Sequence, residues 1–246
     1  MSLSSKFALT LALLAALCFA APAVRADTVI IGGSDSSNAF PFGVFSPSGS
    51  QIFYRGEYQQ FYAPTRFTSP VTITQIAFAS NGGGPRTFNY NLAVGLGTAA
   101  AISTNFAANR GPDFTTVFTG NLTSVQSGTG SFDLVINLTT PFTFDPSGPP
   151  LLLEVVMFSS ATSSGALFQG FTAGTSVDVA RVFNFLGDPA QGSRGQGNFG
   201  LLTRFTFTPA QVTAVPEPTT MLLLGTGLAG VVAKVRKRKA KESQEV

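Results

Sequence analysis

The stretch Phe88-Asn-Tyr-Asn-Leu-Ala-Val-Gly-Leu96 places an apolar side chain at every second position: Phe88, Tyr90, Leu92, Val94 and Leu96. A period of two is the spacing of a β-strand with one buried face, because successive side chains of an extended chain point to opposite sides. The same pattern recurs in Ser131–Leu138, where Phe132, Leu134, Ile136 and Leu138 share a face. It recurs again in Phe199–Phe207, through Phe199, Leu201, Thr203, Phe205 and Phe207. Residues 71–79, 114–119, 151–158, 166–171 and 177–183 read as further strands. Turn-forming clusters separate them, among them Asn81-Gly-Gly-Gly-Pro85, Gly128-Thr-Gly130, Asp145-Pro-Ser-Gly-Pro-Pro150 and Gly187-Asp-Pro189. Many short strands without a long helix predict an all-β fold, an antiparallel, jelly-roll-like β-sandwich over residues 27–213.

Composition narrows the chemistry open to this domain. The chain has no histidine, and its single cysteine is Cys18. Lys6, the apolar run Phe7–Ala21 and the small-residue motif Val24-Arg-Ala26 read as a signal peptide over residues 1–26, cleaved after Ala26. Leu17 before Cys18 does not fit a lipid-attachment site, which takes a small residue there. The mature chain then has neither cysteine nor histidine. That excludes disulfides, Cys/His zinc sites and Cys–His catalysis. No cofactor and no metal site is expected. The net charge of +3 is unevenly placed. Residues 27–214 carry seven arginines and no lysine against nine carboxylates, so this region is net negative and is not a nucleic-acid binder.

The character of the chain changes after Thr213. Gly225-Thr-Gly-Leu-Ala-Gly230 matches the G-x-G-x-x-G dinucleotide fingerprint, but that fingerprint works only inside a strand–turn–helix–strand unit. Here a basic cluster follows instead: Lys234, Arg236, Lys237, Arg238, Lys239 and Lys241. The glycines fit a membrane helix. The apolar run Thr219–Ala233 spans about 22 Å as a helix, and extension to about residue 235, with Lys234 snorkelling, brings it closer to the bilayer core. The basic residues would then stay in the cytoplasm, ending with residues 241–246. Ahead of the helix, Pro216-Glu217-Pro218 is stiff and extended, because each proline fixes φ and biases its neighbour away from helix.

Pro216-Glu217-Pro218, the Gly-containing apolar helix and the Lys/Arg cluster together resemble the PEP-CTERM sorting signal, over about residues 214–240. That signal occurs at the end of many exported proteins of Gram-negative bacteria. The resemblance implies that an exosortase recognises Pro216, Glu217 and Pro218 and processes the protein at or near them. It also implies anchoring in the inner membrane before processing, then release to the cell surface or medium or attachment to extracellular polysaccharide. The preceding region resembles a β-rich region of other PEP-CTERM proteins, through Pro41-Phe-Gly43 and residues 57–62, 70–78 and 144–155.

Two stretches of the β domain carry candidate chemistry. Residues 54–62 concentrate Tyr54, Tyr58 and Tyr62 with Arg55, Glu57, Gln59 and Gln60. Amphipathic aromatics beside amides suit a polar ligand such as a polysaccharide; a structural strand that satisfies neighbouring loops is the other reading. Glu154 interrupts the apolar Leu151–Phe158. A desolvated carboxyl there would suit a general acid, with Asp133 or Asp145 as the second carboxylate of a glycan hydrolase. Alternatively Glu154 pairs with Arg181 or Arg204, or faces solvent on an edge strand. The loop at Asp188 offers oxygen ligands for calcium without a defined spacing. The resulting expectation is a non-enzymatic envelope or matrix protein, with a polysaccharide-binding module and a carboxylate-dependent hydrolase as alternatives.

Overall fold

A computed structural model of the protein describes residues 25–38, 41–42, 44–45, 52–53, 56–81, 86–162, 170–184, 194–210, 227, 230–231 and 234. The chain divides into two units, Met1–Ala210 and Gln211–Val246. The first is built from two antiparallel sheets, the all-β architecture that the alternation predicts. The smaller sheet orders β1 (Asp27–Ile31), β14 (Thr203–Pro209), β6 (Val71–Phe78) and β10 (Leu134–Phe144). The larger orders β13 (Arg194–Leu201), β12 (Gly170–Phe183), β5 (Gly56–Tyr62), β11 (Leu151–Thr162), β8 (Arg86–Thr98) and β9 (Thr115–Gln126). Two short strands, β2 (Ser36–Asn38) and β7 (Ser80–Asn81), add to β12, and β3 (Val44–Phe45) pairs with β4 (Ile52–Phe53).

The inner faces of the two sheets share one apolar core. Along β8 the side chains of Phe88, Tyr90, Leu92, Val94 and Leu96 are all buried, as their spacing requires. Phenylalanine does much of the filling. Phe42 meets Phe78, Tyr90 and Phe171 at centroid distances of 4.8, 5.9 and 5.3 Å. Phe67 meets Phe144 and Phe205 at 5.1 and 5.9 Å. Tilted and edge-on rings at these separations place a positive edge toward a negative face. This packing holds the domain without covalent cross-links.

Two strand expectations are corrected. Residues 199–207 are not one strand. The chain leaves the large sheet after Leu201 and enters the small one at Thr203, so β13 and β14 belong to opposite layers. Leu201, Thr203 and Phe205 still point into the core, so alternation alone could not reveal the crossing. At the crossing Leu202 is held by backbone bonds, donating to Thr172 O at 2.8 Å and accepting from Ala79 N at 3.4 Å. The runs 166–171 and 177–183 also belong together: residues 170–183 form the single strand β12, while 166–169 lie outside the described residues. Gly174 interrupts the apolar pattern there because Gly33 and Asp35 press on it; a Cβ at Gly174 would come within 1.8 Å of Asp35 Oδ1.

The expected signal peptide, residues 1–26, lies outside the described residues apart from Arg25 and Ala26, as do Pro216, Glu217, Pro218, Arg236, Lys237, Arg238 and Lys239. Of the expected C-terminal helix, Gly227, Gly230, Val231 and Lys234 are described and are helical. Among the described residues no helix is long and apolar enough to cross a membrane.

Gly32 makes the crossing at Leu202 feasible. Its φ of +125° lies in the region that side chains disfavour, and a Cβ would sit 2.7 Å from Leu201 O and 3.1 Å from Leu202 Cα. Gly32→Ala is expected to destabilise the domain by about 2–3 kcal/mol, by backbone strain and steric conflict together. The check is a lower urea midpoint at an unchanged slope.

Candidate functional site

Strand β5 lies between β11 and β12 in the interior of the large sheet. Its alternation therefore presents two sets of side chains to two different buried environments. Tyr58, Gln60 and Tyr62 face the core between the sheets, and Glu57, Gln59 and Phe61 face the opposite side. All six are buried. The register sets Glu154 of β11 directly opposite Gln59, and Val156 opposite Glu57. Glu57 and Glu154 are thus diagonal neighbours on one face.

That face is covered by the segment Ala99–Phe114, which contains one helical turn, α1 (Phe106–Asn109). Asn105 caps the turn by accepting from Ala108 N at 3.2 Å, the role for which a short polar side chain at a helix start is favoured. Phe106 packs with Phe61, Leu152 and Val182. Phe114 lies over Gly95 and Gly97 of β8, where a Cβ would collide with its ring at 2.2 Å and with its Cα at 2.8 Å, respectively. The two glycines therefore let the segment descend onto the sheet.

The polar contacts form one continuous network. Gln59 Nε2 donates to Glu154 Oε2 at 2.7 Å and to Phe106 O at 3.0 Å. Asn109 Nδ2 donates to Gln59 Oε1 and to Ser103 O, both at 2.8 Å, and Asn109 Oδ1 accepts from Ser103 N at 2.8 Å. Arg110 spans both carboxyl groups. Its Nε donates to Glu154 Oε2 at 2.8 Å, and its Nη2 donates to Glu154 Oε1 at 2.9 Å and to Glu57 Oε1 at 3.0 Å. The two-point fork onto Glu154 is the geometry that a planar guanidinium favours. The guanidinium also lies 5.0 Å from the centroid of the Phe114 ring.

One cation thus serves two buried carboxyl groups. Burial pushes the Glu57 carboxyl up to about 8, the charge and hydrogen bond of Glu154 push the same way, and Arg110 opposes them. Arg110 is itself held above its ordinary range, first by its hydrogen bond to Glu154. Both carboxyl groups are engaged: Glu154 accepts from Arg110 twice and from Gln59 once, and Glu57 accepts from Arg110.

The residues singled out in the sequence fall in different places. Tyr58 and Tyr62 are closed to solvent in the core. Tyr58 donates to Gln60 Oε1 at 2.5 Å, and the Tyr62 and Thr203 hydroxyls share a bond at 2.8 Å. Burial pushes the Tyr58 hydroxyl up to about 12. Neither ring is therefore open to an external ligand in this arrangement. Glu57 and Gln59 belong to the network beneath Ala99–Phe114, and Tyr54 and Arg55 lie outside the described residues. The partner of Glu154 is neither Arg181 nor Arg204, and β11 is not an edge. Arg181 lies 4.9 and 4.3 Å from the ring centroids of Phe183 and Phe199, and Arg204 lies 4.7 Å from that of Phe132. Asp133 accepts from Ser127 and Ser80, and Asp145 accepts from Ser147 N. Neither aspartate is bonded to Glu154. The loop at Asp188 is outside the described residues. Sequence reasoning missed Arg110, Asn109 and Ser103. The available signal was the Asn105 cap position, with an arginine five residues later in a chain poor in cations.

The model of the PEP-CTERM protein-sorting motif matches residues 214–239. The chain thus carries, at its C-terminal end, the sorting motif of exported proteins, for which an exosortase is the processing partner. No curated protein matches the chain.

Arg110→Met should leave two buried carboxyl groups without their cation. The expected loss is about 3 kcal/mol, the lower end of the range for breaking a buried pair because Arg110 keeps 35% of its side chain exposed. Adding Glu154→Gln to that variant should recover at least about 1 kcal/mol, since neighbouring groups of one network do not act additively. Denaturant unfolding of both singles and the double gives the coupling.

Proposed function

From a chain that carries the PEP-CTERM protein-sorting motif, we propose an exported, non-enzymatic protein of the cell envelope or extracellular matrix. A helix at about residues 219–235 holds it in the inner membrane until an exosortase processes it at or near Pro216-Glu217-Pro218. Processing then delivers the β-sandwich to the cell surface or the extracellular polysaccharide.

The observation that carries this reading is the match over residues 214–239. The order of parts within it has a physical logic. Two prolines hold the peptide extended, as a protease cleft requires, and the helix sets its height above the bilayer. The lysines and arginines keep the tail on the cytoplasmic side. The non-enzymatic reading is supported by the chain's lack of histidine and by the engagement of both glutamates of residues 27–214 with Arg110.

Changing Pro216-Glu217-Pro218 to three alanines should leave insertion intact while removing the extended peptide, because alanine lets the helix extend backward. The expected product is full-length and membrane-retained in a host that processes the parent. Replacing Arg236, Lys237, Arg238 and Lys239 with glutamine should instead release full-length protein into the medium, because the charge bias that holds the tail inside is weakened. Immunoblots of membrane and medium fractions distinguish these results. An alanine variant that is shortened and released like the parent would make Pro216-Glu217-Pro218 a linker and sink the sorting reading.

A further inference from the structure

The segment Ala99–Phe114 is fastened differently at its base and on its underside. At the base, Thr98 donates through N and Oγ1 to Asp113 Oδ1, each at 2.8 Å, and Gly111 N donates to Thr98 O at 2.8 Å. Ala99 N donates to Pro150 O at 2.8 Å and Ala100 N to Asn109 O at 2.9 Å. These bonds are neutral or involve an aspartate bonded only within the base. On the underside the contacts reach the sheet through Phe106, Asn109 and Arg110, and the last of these is the only cation brought to Glu57 and Glu154 among the described residues.

We propose that Ala99–Phe114 is a pH-released flap, closed over the outer face of the large sheet while Glu57 keeps its proton and loosened once both Glu57 and Glu154 are charged. With Glu57 protonated, the carboxylate of Glu154 and the guanidinium of Arg110 balance. With Glu57 ionised, two buried negative charges face one positive charge. Lifting the flap admits water to both carboxyl groups.

The groups facing Glu57 can be named from each side. Glu154 comes from β11 and Arg110 from the flap. On the β12 side, Val182 lies opposite Gln59, and Asn184 donates its backbone N to Glu57 O at 3.0 Å. Arg181 lies opposite Gln60 and so shares the inner face. Asp113 is turned to Thr98. Arg55 is outside the described residues.

The direction follows from linkage. In the closed state burial, with Glu154, raises Glu57 to about 8. In the open state the carboxyl is solvated and falls back toward its ordinary value. A group raised in the closed state favours closure fully below its open-state value, and that advantage declines as pH rises, until pH passes about 8. Opening uncovers Phe61, Leu152 and Val182 together with Gln59, which gives the protein a patch that is hidden at neutral pH and exposed in alkaline surroundings.

Arg110 supplies its own probe, because trypsin cleaves after arginine and needs the chain extended and free. The full chain and its Glu57→Gln variant, in which the neutral form is permanent, are digested side by side at pH 6 and pH 9. Comparison at one pH cancels the protease's own pH response. The ratio of cleavage after Arg110 in the parent to that in the variant should rise at least about tenfold from pH 6 to pH 9. An unchanged ratio would overturn the proposal, as would cleavage that accompanies loss of the β-sheet circular dichroism. Hydrogen exchange of the parent is the second reading and decides the matter if Glu57→Gln does not fold. Protection at the Ala100 and Arg110 amides should fall at least about tenfold between pH 6 and pH 9 while that at Ile73 and Ile76 holds. Unchanged protection at Ala100 and Arg110 would remove the flap.

Discussion

Strand β5 is buried on both faces and yet carries Glu57, Tyr58, Gln59, Gln60 and Tyr62, whose polar atoms must all be partnered. A buried donor or acceptor left alone costs about 1–3 kcal/mol, so this one strand obliges its surroundings to supply partners. They come from four directions. Gln60 reaches past β12 to the end of β13 and treats Leu201 as a strand neighbour would, donating to its O at 2.9 Å and accepting from its N at 2.8 Å. Gly200 leaves room for that amide, since a Cβ there would lie 2.7 Å from Gln60 Cδ. Leu201 is the last residue of β13 before the chain crosses to the small sheet. The Gln60 side chain thus completes the hydrogen bonds of a strand at the place where its sheet ends.

The outward residues of β5 fix the other side of the molecule. Gln59 and Glu57 find their partners in a segment more than 40 residues away in sequence, through Asn109, Phe106 and Arg110. A charged group in such a place adds little net stability over a well-packed apolar one, but it makes the closed arrangement specific and makes removal of either partner costly. The two faces differ in kind. The inner side chains of β5 are amide and hydroxyl groups, while its outer face sets the carboxyl of Glu57 beside Glu154 and Arg110.

The β architecture was legible because alternation is a local property: Phe88 to Leu96 declare a buried face with no knowledge of what lies across from them. The crossing at Leu202 was not legible, because Leu201, Thr203 and Phe205 face one core from two different sheets and keep the period of two throughout. The candidate site was half legible. Glu154 stood out as a carboxylate in an apolar strand, and Glu57 and Gln59 stood out by composition. Which arginine answers Glu154 is decided by how the segment 99–114 folds back, and no spacing along the chain records that. Tyr58 and Tyr62 were ambiguous for a related reason. A tyrosine suits a ligand surface and a core with a nearby hydroxyl equally well, and the partner, Thr203, is contributed from a strand 141 residues later. The sorting motif differs because it is a linear signal, so sequence order alone carries its meaning.

The account rests on the polar residues of β5 being structural, and Gln60 is the residue that tests this most directly. Gln60→Met keeps the volume and removes both bonds to Leu201 and the acceptor of Tyr58. Thermal unfolding of this variant should show a midpoint roughly 6–12 °C below the parent, the consequence of leaving about 3 kcal/mol of buried polar groups unsatisfied in a domain of this size. A midpoint within about 2 °C of the parent would mean that the strand does not depend on this amide, and would contradict the account.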